Sequence, residues 1–308
     1  MRTMMTPQVK DELTRFFRPM AAAALVLGGM VVAPLAAPDA VRAQTSSAPT
    51  AAATNGPTYA DLATFSDAAD LVVRVQIRRQ TVLKPDRAPG LAAGFARLYI
   101  EADTVALIAG RASVGGALAY LVDVPLDAKG KVPKLKKREF VLFADSVPGR
   151  AGEVRLVAPG AQLEYTPALE ARLRPLLSEI YAASVPPRIT GISDALAVAG
   201  TLTGESETQI FLATENRSPV SITVLRRPGQ TPQWGVSWGE IIDSSARPPA
   251  PETLRWYRLA CSLPAQLPSN ANLAREPEAR RLAAGDYAYV IAQLGPCTRR
   301  ITQAPAAS

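Results

Sequence analysis

The chain has 308 residues, 48% hydrophobic and 20% charged, with 34 Lys+Arg against 27 Asp+Glu, two Cys and no His. Without an imidazole there is no Ser-His-Asp or Cys-His triad, no His-containing zinc, copper or non-haem iron site, and no general base poised near neutral pH. The length allows one large or two small domains, and the net charge of +7 is too modest for the basic stripe of a nucleic-acid partner.

The chain opens with a polar stretch carrying Arg2, Lys10, Arg15 and Arg18. An uncharged apolar run, MAAAALVLGGMVVA, follows from Met20 to Ala33, and Val41-Arg42-Ala43 offers small or modest residues for a signal peptidase. This tripartite pattern predicts a secretory signal over 1–43, cleaved after Ala43. The run is short for a membrane span, which needs about 20 residues; an uncleaved N-terminal anchor in the inner membrane is the alternative. There is no twin arginine and no Cys near the cleavage point. Residues 44–57 (QTSSAPTAAATNGP) read as a flexible leader.

Thr58-Tyr59-Ala60-Asp61 resembles a capping box that opens a short helix. Period-two alternation then takes over, with Leu71, Val73, Val75 and Ile77 on one face of a strand over 71–78. Further strands are predicted over 96–108, 117–124, 138–145 and 153–158, separated by Pro/Gly turns. Short strands with turn signals between them predict a small antiparallel barrel, OB-like as a first reading, although no helix pattern falls between the third and fourth. Thr166-Pro167 caps a helix with an apolar stripe from Leu169 to Ile180, which Pro175 should kink or split. The barrel-like domain is therefore placed at 58–185, with Pro186-Pro187 as its boundary.

The second half, 186–308, reads as an α+β domain. Short β-like pieces over 188–199 precede strands over 207–214, 220–226 and 233–241, an antiparallel meander. Two helices finish it, one from near Pro251 and one from Pro277, the latter stopped by Gly295-Pro296. The overall class is α+β.

Cys261 and Cys297 suit an oxidising compartment, where a bridge closing about 36 residues is worth roughly 3–4 kcal/mol in the chain-entropy model. A redox pair or two free thiols are the rival readings, but C-x-x-C spacing is absent.

Gly235-Val236-Ser237-Trp238-Gly239 matches the G-x-S-x-G of serine hydrolases, which seat the serine on a sharp strand-to-helix turn. No His is present to take its proton. Trp234, Val236 and Trp238 also alternate with Gly235, Ser237 and Gly239 as in a continuous strand. The segment is read as structural, with Trp234 and Trp238 as a candidate stacking face. Lys129, Lys131, Lys134, Lys136, Lys137 and Arg138 form a basic loop that holds five of the seven Lys. It is either a solvated hairpin or a contact for anionic envelope components. The carboxylate pairs Glu205/Glu207 and Glu240/Asp243 carry the residue types of a glycosidase but read as surface residues. No P-loop, dinucleotide fingerprint or EF-hand loop is present, so no catalytic residue, cofactor or metal is assigned.

PKLKKREFVLFA (133–144), GESETQIFLAT (204–214), QWGVSWGEI (233–241) and WYRLACSLP (256–264), with the signal and the late second Cys, resemble exported proteins of sphingomonad-type alphaproteobacteria. The resemblance covers most of 58–297 and implies a periplasmic location without an attached activity. The expectation is a periplasmic, non-enzymatic binding or scaffolding protein, whose partner is an anionic envelope component or another envelope protein. A hydrolase using Ser237 and a membrane-anchored protein are the alternatives.

Overall fold

The computed structural model describes residues 56–302, apart from 112 and 242–244. The expected signal over 1–43 and all but the last two residues of the leader lie outside the described residues.

Helix α1 (Tyr59–Ala68) begins with a full capping box: Thr58 Oγ1 accepts from the Asp61 N–H at 3.1 Å, and Asp61 accepts from the Thr58 N–H at 2.9 Å. Five antiparallel strands follow in the spatial order β3-β2-β1-β4-β5: β1 (Leu71–Val82), β2 (Phe95–Gly110), β3 (Ala117–Pro125), β4 (Glu139–Ser146) and β5 (Val154–Leu156). A short β6 (Gln162–Glu164) pairs with β4 beyond β5. A parallel bridge, Ala119 to Glu153, brings β3 to β5, and the Ala119 N–H donates to the Gly152 carbonyl at 2.8 Å.

Alternation decides where each side chain goes. Leu71, Val73, Val75 and Ile77 of β1 meet Leu98 and Ile100 of β2 and Tyr120 and Val122 of β3 in one core. Every buried member of that core lies on a strand of this sheet except Leu135, which comes from the loop before β4. The opposite face of β1 and β4, through Val72, Val141 and Phe143, enters a second core.

That second core holds the rest of the chain. Helix α2 (Pro167–Ile180) precedes a four-stranded antiparallel meander, β10-β9-β8-β7, of β7 (Ile189–Ala199), β8 (Ser206–Thr214), β9 (Val220–Arg226) and β10 (Gln233–Ser237). Helices α3 (Leu254–Ala260) and α4 (Pro277–Leu294) follow. Residues from all four helices and both sheets share this core, so both sides of the Pro186-Pro187 step are packed together. The architecture is α+β with antiparallel sheets.

The structure departs from these expectations at four points. The β-like pieces expected over 188–199 are one strand, Ile189–Ala199, in which register shifts between Ile189/Gly191 and Ile192/Asp194 break the period-two pattern. The strand expected over 233–241 stops at Ser237. Helix α2 runs through Pro175 without splitting, with Leu173, Leu176 and Leu177 buried on either side of it. β6 was not expected.

Cys261 and Cys297 form a disulfide, with Cα atoms 5.1 Å apart, tying the end of α3 to the segment after α4. Such a bond belongs to an oxidising compartment such as the periplasm. The chain beyond Cys297 returns to α1. There the buried Asp61 accepts from the N–H groups of Arg300, Ile301 and Thr302 at 3.0, 3.1 and 2.8 Å, and from the Thr302 hydroxyl at 2.8 Å. Burial alone would raise the Asp61 pKa; the donors of Thr302, Thr58 and Arg300 outweigh it and hold the carboxyl far below the usual range. No described helix is long and apolar enough to cross a membrane.

Candidate functional site

The connection from β3 to β4, residues 126–138, carries the basic cluster on a backbone that is held at several points. At its tip Asp127 Oδ1 accepts from the N–H groups of Lys129 and Lys131, each at 2.8 Å. Gly130, at φ 71°, closes the turn by donating to the Asp127 carbonyl at 2.8 Å. Further along, Leu135 is only 4% exposed and fills the end of the first core. Gln80 Oε1 accepts from the Leu135 N–H at 2.6 Å, while Gln80 Nε2 donates to the Pro133 carbonyl at 2.9 Å. Lys137 N–H donates to the Ile77 carbonyl at 2.8 Å, and Ile77 N–H donates to the Arg138 carbonyl at 3.0 Å.

The side chains of Lys129, Lys131, Lys134, Lys136 and Lys137 are all exposed. None of the five pairs with a described carboxylate. Arg138 differs from them: its guanidinium lies 2.6 Å from Glu164 on β6 and 5.3 Å from the Phe140 ring centroid. The cluster thus divides into five unpaired ammonium groups and one arginine engaged with the sheet. An alternation of exposed Lys with buried or half-buried Val132, Pro133 and Leu135 makes this possible. The apolar residues hold the loop down and the cations project.

The tryptophan strand is mostly core. Trp234 is 7% exposed and belongs with Val236 to the second core, so little of its ring reaches the surface. Trp238 is half-buried, and the Arg255 guanidinium carbon stands 5.7 Å from its ring centroid.

Ser237 is the last residue of β10, paired with Ser221 of β9 and 5% exposed. The next described helix starts at Leu254, so the serine does not sit on a strand-to-helix elbow. Gly235 has a packing role: a Cβ there would lie 2.3 Å from the Ala246 carbonyl oxygen, where the returning chain crosses the strand. The carboxylates are similarly engaged. Glu205 accepts from the Leu202 N–H at 3.3 Å, and Glu207 accepts from Gln209 Nε2 at 2.6 Å. Asp243 lies outside the described residues. No metal-ligating cluster is present among the described residues.

Two buried charged groups that the sequence did not single out, Arg258 and Asp286, have structural partners. Arg258, 4% exposed, makes two bonds of 2.7 Å to Asp67. Asp286 accepts from Thr208 and Arg226, each at 2.5 Å. Leu135 and Gln80, which hold the basic loop, were also missed; an isolated leucine in a lysine run is the one signal that could have found the first.

No known family matches this chain, and no curated protein matches it.

Proposed function

We propose that this is an exported, non-enzymatic protein of the bacterial cell envelope that binds an anionic lipid surface through the Lys129–Lys137 loop. The observation that carries this reading is the five lysines, exposed and unpaired, on a backbone fixed by Leu135 and Gln80. A fixed loop loses little further backbone freedom on binding. Each lysine near an anionic surface contributes up to about 1 kcal/mol.

The same reading takes the first sheet as a small OB-like barrel. The order β3-β2-β1-β4-β5 leads back to β3 through the Ala119–Glu153 bridge, and one face of the sheet packs largely on itself. The loop then stands where many such barrels carry a helix. Export rests on the 1–43 pattern, with the disulfide in support, and the resemblance to exported alphaproteobacterial proteins rests on the segments 133–144, 204–214, 233–241 and 256–264 together with that pattern and the late second Cys.

The test is co-sedimentation with phosphatidylglycerol/phosphatidylcholine vesicles, against phosphatidylcholine alone, at low and physiological salt. Retention by the anionic vesicles only, weakened by salt and lost in the variant with all five lysines changed to glutamine, supports the reading. Equal retention of that variant overturns it. Intact mass of the exported protein, starting at Gln44, tests the signal.

A further inference from the structure

A cavity of about 370 Å³ lies at β10, the edge strand of the second sheet. One wall comes from α4, through Tyr289 and Gln293, and another from the segment that returns over β10, through Arg247 and Pro248. Gly235 sets the second wall: a Cβ there would collide with the Ala246 carbonyl, so glycine lets that segment come down onto the strand. The volume falls at the small end of the range for ligand pockets, about 300–1,000 Å³.

Two donors of the lining have no protein acceptor. Trp234 is 7% exposed, yet its Nε1–H donates to no described group and is not sealed from solvent. Trp256 shows the ordinary arrangement, in which Nε1–H donates to the Leu294 carbonyl at 2.8 Å. A buried indole N–H usually finds an acceptor, and for Trp234 the cavity is the place left to supply one. Arg247 is held through one nitrogen: Nη1 donates to the Ser245 carbonyl at 2.7 Å and to the Ala246 carbonyl at 3.2 Å. Its Nε and Nη2 bond no described group, and it pairs with no described carboxylate. That edge of the planar guanidinium suits an acceptor with two oxygens.

The hydroxyl protons of the lining are already used. Tyr289 donates to the Pro232 carbonyl at 2.9 Å, and Thr223 donates to Gln209 at 3.1 Å. No acidic residue lines the cavity, so it carries the single positive charge of Arg247. A monoanion cancels that charge, whereas a dianion brings an excess. The remaining surface, from Leu225, Pro232, Pro248 and the two aromatic rings, suits a hydrocarbon or aromatic body.

We infer that this cavity binds a small organic monocarboxylate with an apolar body, its carboxylate taken by Arg247 and the Trp234 N–H. The indole donor is fixed by its place in the core, and Arg247 is tethered through Nη1, so both are positioned before the ligand arrives. The lysine loop joins strands of the other sheet, so this site stands or falls separately from it.

The experiment follows the indole N–H signals of the isotope-labelled protein by NMR during titration with phenylacetate, the Trp234 signal being identified by its loss in Trp234→Phe. That signal should move and saturate with a Kd of about 1 mM or tighter. The signal of Trp256, whose N–H is already bonded to Leu294, should stay in place. Phenylacetamide, which keeps the shape and loses the charge, and inorganic phosphate, which lacks the apolar body, should each bind more weakly by roughly tenfold or more. Arg247→Gln should weaken phenylacetate binding by a similar factor, roughly tenfold or more. Arg247 is exposed, and an unchanged Trp256 signal checks that the variant is folded. A Trp234 signal that fails to move at about 10 mM phenylacetate or hexanoate overturns the inference. So does equal binding of phenylacetamide or phosphate, or equal binding of phenylacetate by Arg247→Gln.

Discussion

The carbonyl of Ala246 crosses β10 directly over Gly235, so close that a Cβ on Gly235 would stand 2.3 Å from its oxygen. The first glycine of the hydrolase-like motif is therefore required by the packing of a returning segment. Gly235→Ala should destabilise the protein by roughly 1–3 kcal/mol, the usual cost of overpacking. Gly239→Ala, with open space around it, should leave stability nearly unchanged. Urea melts of the two variants read the difference.

The same geometry bears on Ser237. A serine at a strand end, 5% exposed in a chain that contains no His, lacks the imidazole that activates the serine of a triad. A serine-directed phosphonate should not label the protein. Labelling of the wild type that disappears in Ser237→Ala would restore the hydrolase reading.

Asp61 and Asp67 give stability a defined pH dependence. In Asp61 the donors of Thr302, Thr58 and Arg300 overcome the opposing effect of burial; in Asp67 the Arg258 and Arg188 guanidiniums do so. Both folded-state pKa values lie below the unfolded value of about 4. The unfolded chain then takes up protons first as the pH falls. Stability from these groups is full above about pH 5 and declines through and below pH 4. Denaturant melts across that range should show the decline, and Asp61→Asn should flatten it while lowering stability at neutral pH by on the order of 3 kcal/mol. A variant with an unchanged slope would show that the clamp on residues 300–302 contributes nothing.

The disulfide closes 36 residues that span the end of α3 to the end of α4. Reduction, or Cys261→Ser with Cys297→Ser, should cost roughly 3–4 kcal/mol by the chain-entropy argument. Matched chemical denaturation with and without reductant measures it.

Much of the fold was legible because local patterns were strong. Pro277 at the first turn and Gly295 past the end bracket α4, and clean alternation fixes the faces of β1 and β3. The failures were physical too. Two register shifts hid β7 as fragments, and the three residues of β6 are too few to show a period. The capping role of Asp61 was visible in Thr58–Asp61, but its bonds to Arg300 and Thr302 span 239 and 241 positions and leave no local trace. The basic cluster was read from charge alone. What distinguishes its five free lysines from Arg138 is Glu164, on a strand the sequence did not reveal.

The most direct measurement is vesicle co-sedimentation of the wild type beside the variant with Lys129, Lys131, Lys134, Lys136 and Lys137 changed to glutamine. Wild-type retention on phosphatidylglycerol-containing vesicles that falls with salt, and falls more than tenfold in the variant, is predicted from contributions of up to about 1 kcal/mol per lysine. Retention that is absent at low salt, or is the same in both proteins, would contradict the account.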